Sequence, residues 1–314
     1  MAQSEAEGGM SAVAGVSGDS RFSPVAAIGR LLRSRGVRRF MRNIPAIIGL
    51  VILLVLVLTA IFEPWLLPQD PNAQDLGNTF APPFSDWAHL LGTDNLGRDV
   101  LSRIIAADRV ALSAAVTAVS VSMLVGIPLG FIAAYFGGWV DVVIVRCTDA
   151  LQSLPPLMLA IALLGAVGPG LTNAMIVIGL VFSPAFLRIV RAAVMEILGE
   201  TYIEASRSIG TPTGRLIRTR LLPNAMPPVL VQASIVTGMA LIAEASLSLL
   251  GLGVAPPQAS WGLMISQGYN FIYQQPALVI VPGVVLAIAV LALNLVGDGL
   301  RDSIGRVTGE GADR

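Results

Sequence analysis

Long apolar runs that contain no charged residue alternate along this chain with shorter charged segments. The clearest run, IPAIIGLVILLVLVLTAIF, covers residues 44–62. A helix of about 20 apolar residues crosses the hydrocarbon core of a bilayer, where lipid offers the backbone no hydrogen-bond partners. The pattern predicts an all-α, polytopic membrane protein with six spans, near 44–62, 110–136, 142–165, 172–190, 226–249 and 277–297.

Glycine and proline interrupt this apolar pattern at several places. Pro155-Pro156 should break or kink the third span, because proline removes a helical hydrogen bond. The stretch GAVGPGLTN at 165–173 separates the third span from the fourth. In the second span, Gly126 and Gly130 form a GxxxG pattern, which predicts that another helix packs closely there.

The composition agrees with a multispanning membrane protein. The chain is 54% hydrophobic and 13% charged, and its mean hydropathy is +0.76. Its net charge is zero, so no global field attracts nucleic acid. Cys147 is the single cysteine, which excludes an internal disulfide and predicts a buried free thiol. With His89 the single histidine, a zinc site is not expected, and no other metal site is predicted.

Lysine is absent, since all 20 basic residues are Arg. A Walker A loop needs a Lys to reach the nucleotide phosphates, and a Schiff-base enzyme needs a Lys amine. The sequence therefore predicts a non-catalytic chain without a cofactor of its own. If ATP and Mg drive the protein, a partner subunit hydrolyses the nucleotide.

The distribution of arginine predicts the orientation in the membrane. Seven Arg precede residue 44 and six lie within 188–220, whereas the connection 63–109 has three Arg beside seven carboxylates. Cytoplasmic connections carry the excess of Arg. We therefore expect a disordered cytosolic tail over 1–40, a transmembrane domain over 41–305 and a cytosolic tail over 306–314. The segment 63–109 is then an outward loop and 191–224 a cytosolic loop.

The cytosolic loop contains a recognisable pattern. A short helix from about Thr201 to Ile209 should stop at Gly210, before a turn rich in Arg that precedes Pro223. Glu204-Ala205-Ser206, the glycine four residues later and Leu222-Pro223-Asn224 together resemble the EAA loop of ABC-importer permeases. In that family the loop couples the permease to a separate ATPase. The resemblance assigns this role to Tyr202, Glu204, Ala205, Ser206, Arg207, Gly210, Leu222 and Pro223.

The loop departs from the family pattern at two positions. Ser206 replaces the second Ala of the EAA pattern, and this small-for-small change should preserve close packing. Arg220 occupies a position where the general importer pattern has an apolar residue.

Four further segments resemble the C-type permease of dipeptide, oligopeptide and nickel ABC importers. They are LGTDNLGRDVLSR at 91–103, EASLSLLGLG at 244–253, PPQASWGLM at 256–264 and NLVGDGLRD at 294–302, in the family's order. The resemblance covers roughly residues 30–305 and is closest to dipeptide permeases. It implies the type I importer permease fold with six transmembrane helices.

The same resemblance implies the surroundings of the chain. The expected assembly lies in the bacterial inner membrane, with membrane lipid around it and both termini in the cytosol. It contains a homologous second permease as a heterodimer, and either two ATPase subunits or one fused ATPase. A free or lipid-anchored solute-binding protein delivers a peptide substrate from outside. That protein is expected to dock on the outward loop and the connection 252–276, near Asp94, Arg98, Asp99 and Trp261.

Polar residues inside the spans are candidates for the translocation path or for bonds within the bundle. They are Asp149, Gln152, Glu244 and Asn294. Spacing of three residues predicts that Asp149 meets Arg146 and that Asp298 meets Arg301. At the outward side, Thr93 or Asp94 is expected to cap a helix that begins near Asn95.

Other functions stay open at this point. The family's range includes nickel chelates, haem and glutathione-like peptides. A secondary transporter would relay ions through residues such as Asp149 and Glu244, and it would need no ATPase-docking loop. An intramembrane hydrolase is disfavoured because His89 lies in the outward loop instead of a span and no HExxH motif occurs.

Overall fold

The structure, a computed structural model, describes residues 35–305. The tails predicted over 1–34 and 306–314 lie outside the described residues. Residues 35–40, which the sequence assigned to the disordered tail, form a short helix. The helices are α1 Arg35–Phe40, α2 Ile44–Ile61, α3 Glu63–Leu66, α4 Val100–Phe136, α5 Gly138–Gln152, α6 Pro156–Val167, α7 Leu171–Leu198, α8 Thr201–Ser208, α9 Thr213–Leu216, α10 Leu222–Leu249, α11 Trp261–Tyr269 and α12 Ala277–Gly305.

Within residues 35–305 the chain is helical and forms no strand, apart from one isolated bridge between Thr93 and Asp99. Five helices are long and apolar enough to cross a membrane: α2, α4, α7, α12, and α10 together with the turns that precede it from Thr213. The pair α5–α6 provides a sixth span if it is counted as one, and its two halves meet at 91°. The third predicted span is therefore a broken one.

The break between α5 and α6 follows from the sequence. The first helix ends at Gln152 and the second begins at Pro156. Pro155 has an extended backbone with ψ of 133°, and a residue before proline is driven out of the helical region. The predicted interruption at Pro155-Pro156 is confirmed.

The helix α4 is longer than the predicted span. It begins at Val100 instead of Val110, and Asp99 caps it by accepting a hydrogen bond from the Ser102 amide at 2.8 Å. The prediction of a cap at Thr93 or Asp94 was wrong. Asp94 instead accepts bonds from the amides of Leu96 and Arg98, and so organises the turn before the helix.

Close packing of α4 on α7 forms the centre of the bundle. A Cβ atom on Gly126 would lie 2.4 Å from the Ser183 carbonyl oxygen, and one on Gly130 would lie 2.6 Å from that of Leu187. The predicted close approach at this GxxxG pattern is confirmed.

On the other side of the bundle α12 packs on α2 and α10. A Cβ atom on Gly49 would lie 2.7 Å from the Ala292 carbonyl oxygen. Asn43 at the start of α2 donates to Asp302 near the end of α12, so the two helices run antiparallel. The amino end of α2 and the carboxyl end of α12 therefore share one face of the bundle.

Candidate functional site

The loop after α7 contains a short helix with a capped end. The helix α8 covers Thr201–Ser208, and Gly210 has a φ of +78°. The Thr211 amide donates to the Ser206 carbonyl at 3.1 Å, which is the longer bond of a Schellman motif. Glycine suits this position because an L side chain is strained at positive φ. The predicted stop at Gly210 is confirmed.

Apolar side chains fasten this loop to the bundle. Ile203 of α8 is fully buried, as are Leu216 and Leu221 in the turns that follow. They share one cluster with residues of α7 and α10, among them Phe186, Val190, Val194, Ala225 and Val229. The loop is therefore attached to the long helices on both sides of it.

The opposite side of the loop is exposed. Glu204, Ala205 and Gly210 are open to solvent, and Ile209 is 82% exposed although it is apolar. A Cβ atom on Gly210 would meet nothing within 4 Å. This surface, which we call the loop surface, combines a short helix, a protruding isoleucine and the exposed Arg215 and Arg218.

Arg220 has an intramolecular role at its unusual position. Its guanidinium lies over the ring of Tyr202, 5.9 Å from the ring centroid. Asn224 also donates to the Tyr202 hydroxyl, at 3.5 Å. These contacts connect α8 to the start of α10, where Leu222 is half-buried and Pro223 exposed.

A further contact connects the loop to α4. The hydroxyl of Tyr135, in the last turn of α4, lies 3.0 Å from Thr213 Oγ1. The end of α4 and the loop therefore lie at the same face of the bundle, which we call the loop face.

Two arginines of α7 reach the broken span. Arg191 donates to both carboxylate oxygens of Asp141, and Arg188 donates to Asp149 at 2.9 Å. The prediction that Asp149 meets Arg146 was wrong, because the partner comes from the neighbouring helix. Asp141 and Arg191 were not among the site residues expected from the sequence. Both are charged residues within or beside long apolar segments, and this position in the sequence could have indicated that they need a partner.

The four candidate path residues do not form one cluster in the described contacts. Glu244 is 1% exposed and accepts a hydrogen bond from Ser248 Oγ at 2.7 Å. Ser248 in turn accepts from the Val254 amide at 3.2 Å. These bonds favour the structural role for Glu244. Asp149, Gln152 and Asn294 are exposed on α5 and α12.

The outward segment is held together by buried charges. Asp94 Oδ2 accepts from Arg98 Nε at 2.7 Å, and Arg103 Nε lies 3.8 Å from the same oxygen. Arg103 Nη1 also donates to the Pro71 carbonyl at 3.1 Å. His89 Nδ1 lies 3.2 Å from Asp99, which is the cap of α4. These side chains stabilise the loop internally.

Burial argues against the docking residues proposed from the sequence. Asp94, Arg98 and Asp99 are all buried, and Trp261 is 2% exposed within the apolar core between α4 and α12. In this structure their side chains offer little surface to a partner. Aromatic residues on this side are exposed, among them Trp87, at 91%, and Tyr273, at 99%.

Two smaller expectations also differ from the structure. Cys147 is exposed on α5 instead of buried. Asp298 and Arg301 are both exposed, and within residues 35–305 no ion pair joins them. Asp108, which was not considered, is buried in α4 and accepts a hydrogen bond from Thr59 of α2. In the same described range, no cluster of three or more His, Cys, Asp or Glu residues is arranged to hold a metal ion.

Comparison with known proteins assigns the chain to a family. Residues 126–308 match the model of the binding-protein-dependent transport system inner membrane component, and residues 32–83 match the N-terminal transmembrane domain of oligopeptide transport permease C. The chain belongs to this permease family. The first match covers the whole loop surface, and the second covers α1, α2 and the beginning of the outward segment.

Curated relatives from several bacteria match most of the chain. The di/tripeptide transport system permease protein DppC of Pseudomonas aeruginosa is 41% identical over 84% of this chain and 89% of its own length. The dipeptide permease DppC of Alkalihalophilus pseudofirmus is 38% identical over 85% and 87%. The glutathione transport system permease protein GsiD of Pectobacterium atrosepticum is 37% identical over 85% and 88%.

A solved structure supports the fold. The inward-facing MetNI methionine ABC transporter matches with a TM-score of 0.53 at 21% identity, over 65% of this chain and 97% of that one. The predicted fold of an ABC importer permease is therefore confirmed. The chain is a permease of an ABC importer and a membrane protein with several apolar helices.

Proposed function

We propose that this permease moves di- and oligopeptides across the bacterial inner membrane as one half of a permease heterodimer. Peptide permeases are prominent among its relatives at 37–41% identity. The observation that carries the coupling mechanism is the geometry of α8, which is exposed on one side and attached to two long helices on the other.

The mechanism begins with a partner ATPase that receives the loop surface. A short helix with an exposed face suits a groove on such a partner. Glu204, Ala205, Ser206 and Arg207 belong to this helix, and Gly210 allows the chain to turn sharply behind it. Closure of the ATPase pair would push α8 as a unit, because Ile203 and Leu216 are packed into the bundle.

The displacement then passes to the long helices. Movement of α8 would act on α7 and α10 through the shared apolar cluster, and on α4 through Tyr135 and Thr213. A tightly packed bundle responds by changing between discrete packings. ATP binding in the partner would thereby alternate the access of the path.

We propose no catalytic role or cofactor for this chain. Without Lys it cannot provide a Walker A loop, so partner subunits would bind ATP and Mg. These are two ATPase subunits or one fused ATPase. The Arg-rich loop face, with the amino end of α2 and the carboxyl end of α12, would be cytosolic.

Two further surfaces suit the other partners. The pair α5–α6 presents apolar residues such as Val142 and Met158 on its exposed side, which would face the second permease or lipid. On the outward side, Trp87 and Tyr273 are exposed aromatic anchors for a solute-binding protein. Their exposure favours them over the buried residues named from the sequence.

The test of coupling uses substitutions at Gly210. Gly210→Trp adds bulk where this chain leaves open space, so besides the backbone strain at a φ of +78° it should obstruct the partner. Gly210→Asn is the matched control, since Asn tolerates positive φ. In proteoliposomes with all subunits, the Trp variant should assemble but lose most ATP-driven uptake, whereas the Asn variant should retain it.

Full ATP-stimulated uptake by an assembled Gly210→Trp complex would contradict the coupling role. Uptake that does not depend on ATP but stops when the proton gradient is dissipated would instead support a secondary transporter. The substrate is tested separately, by identifying the ligand carried by the co-purified binding protein. A nickel chelate or haem there would contradict the peptide assignment without affecting the coupling role.

A further inference from the structure

A charged recess lies at the loop face between the two ends of the chain that the structure describes. It has a volume of about 420 Å³ and opens to the surface. The end of α1, the turn that leads into α2 and the last turns of α12 form its walls. The lining residues are Arg39, Arg42, Asn43, Gly299, Asp302 and Ser303.

The floor of the recess is tightly packed. A Cβ atom on Gly299 would lie 2.3 Å from the Ala46 Cβ and 2.9 Å from a ring carbon of Phe40. Phe40 therefore holds α1 against α12, so Arg39 is carried on a docked helix and Arg42 follows it in the next turn. The recess has a defined shape because of this contact.

Positively and negatively charged side chains both line the recess. Arg39 and Arg42 come from the α1–α2 side, and Asp302 comes from α12. Asp302 accepts a hydrogen bond from Asn43 Nδ2 at 3.3 Å, which orients the carboxylate. Both Asp302 and Arg42 line the recess, and among the described residues no ion pair joins them.

The neighbouring surface is apolar. Met41 and Ile44 are exposed beside the recess, and Ile44 is 70% exposed at the start of a span. Ile48, one turn further into α2, is exposed as well. A ligand that fits both surfaces has a charged head and a hydrocarbon tail. Arginine is suited to its phosphate, because the guanidinium can donate two hydrogen bonds to one phosphate.

We propose that the recess binds the headgroup of a phospholipid that carries both a phosphate and a primary ammonium, such as phosphatidylethanolamine. The phosphate lies at Arg39 and Arg42, and the ammonium lies at Asp302. One acyl chain follows Ile44 and Ile48 along α2. A lipid with a negatively charged headgroup and no ammonium would leave Asp302 unpaired and repelled.

The experiment compares lipids on the full transporter complex. The complex is exchanged into detergent with equal amounts of phosphatidylethanolamine, phosphatidylglycerol and phosphatidylcholine, and retained lipid is measured by native mass spectrometry. Phosphatidylethanolamine should be retained in about fivefold excess over each of the others. Arg42→Gln should reduce its retention about five- to tenfold, as expected for the loss of a charge-assisted hydrogen bond.

Two variants make the test specific. Asp302→Asn preserves the shape of the side chain but removes its charge, so it should shift the preference from phosphatidylethanolamine toward phosphatidylglycerol. Arg38→Gln removes an exposed arginine of α1, four residues before Arg42, that does not line the recess, and it should change retention less than twofold.

Several outcomes would overturn the proposal. They are equal retention of the three lipids, an unchanged preference in Asp302→Asn, and an equal loss of lipid in Arg38→Gln and Arg42→Gln. Glycerophosphoethanolamine, which lacks acyl chains, should displace the lipid only at millimolar concentration. Displacement at micromolar concentration would identify a site for a soluble phosphate compound instead. Coupling of ATPase and uptake through Gly210 is measured independently of these results.

Discussion

Arg191 forms a two-pronged ion pair with Asp141, in which its Nε and Nη2 donate to the two carboxylate oxygens at 2.5 and 2.6 Å. The pair connects α7 to the first turn of α5, the first half of the broken span. A second pair, between Arg188 and Asp149, joins the same two helices. Two ion pairs therefore join the broken span to α7, the helix that leads into the loop surface.

The first prediction concerns the ion pair between Asp141 and Arg191. Asp141→Asn and Arg191→Gln should each destabilise the purified complex, and the double variant should cost less than the sum of the two. Because both side chains are partly exposed, we expect a coupling energy of about 1 kcal/mol. Thermal unfolding of the four complexes measures it. Strict additivity would show that the pair contributes nothing to stability.

The second prediction concerns the packing of α4 on α7. Gly126→Val adds a side chain at the contact between the two helices. Its Cβ would lie 2.4 Å from the Ser183 carbonyl oxygen, which is too close for the present packing. Overpacking of this kind typically costs about 1–3 kcal/mol. The amount of monodisperse protein in size-exclusion chromatography should therefore fall sharply.

A matched control for Gly126 is Gly165→Ala in α6, where an added Cβ meets nothing within 4 Å. It should leave the yield unchanged or slightly higher, because Ala favours the helix more than Gly does. A normal yield of the Gly126 variant would contradict the close helix contact.

The third prediction separates the two roles of Glu244. Glu244→Gln keeps an oxygen that can accept from Ser248, so the complex should assemble and transport normally per assembled complex. Glu244→Leu leaves the Ser248 hydroxyl without this partner inside the bundle and should cost about 1–3 kcal/mol. Uptake is therefore normalised to the amount of complex. If the Gln variant assembles fully but does not transport, Glu244 acts in the path.

The fourth prediction concerns the outward surface. Trp87→Ala should weaken binding of the solute-binding protein about tenfold, since an exposed aromatic anchor is lost while the fold is retained. Binding to the reconstituted complex can be measured by biolayer interferometry.

Trp261→Phe provides the comparison for Trp87, because its side chain is buried in the core. It should lower the yield of folded complex but leave the affinity of that complex for the binding protein unchanged. An effect on affinity at Trp261 with none at Trp87 would restore the docking residues that the sequence indicated.

Much of the fold could be predicted because its determinants are local. Uncharged runs of about 20 residues mark spans, Pro155-Pro156 breaks a helix and Gly210 ends one. The start of α4 was misplaced by ten residues, since Val100–Arg109 contains charges that resemble a loop in sequence. In the structure these charges face partners such as Asp94 and Glu63, which lie in the folded outward segment.

Only part of the candidate site could be identified from the sequence, for the same reason. The loop surface could be found from a contiguous motif, because α8 and its glycine stop lie within ten residues of each other. The docking residues could not be identified, because a motif does not reveal which side of a folded segment its side chains face. Asp94, Arg98 and Trp261 belong to the motifs but lie inside the structure.

By itself, then, the sequence determined the apolar spans, their interruptions and the family to which the coupling loop belongs, since each depends on residues close together in the chain. Only the tertiary structure decided that Asp149 pairs with Arg188 instead of Arg146, and that Asp302 faces a recess shared with Arg42. Such pairings depend on which helices become neighbours. That choice is made by the packing of whole helices, as at Gly126 and Gly130, rather than by the spacing of charges along one of them.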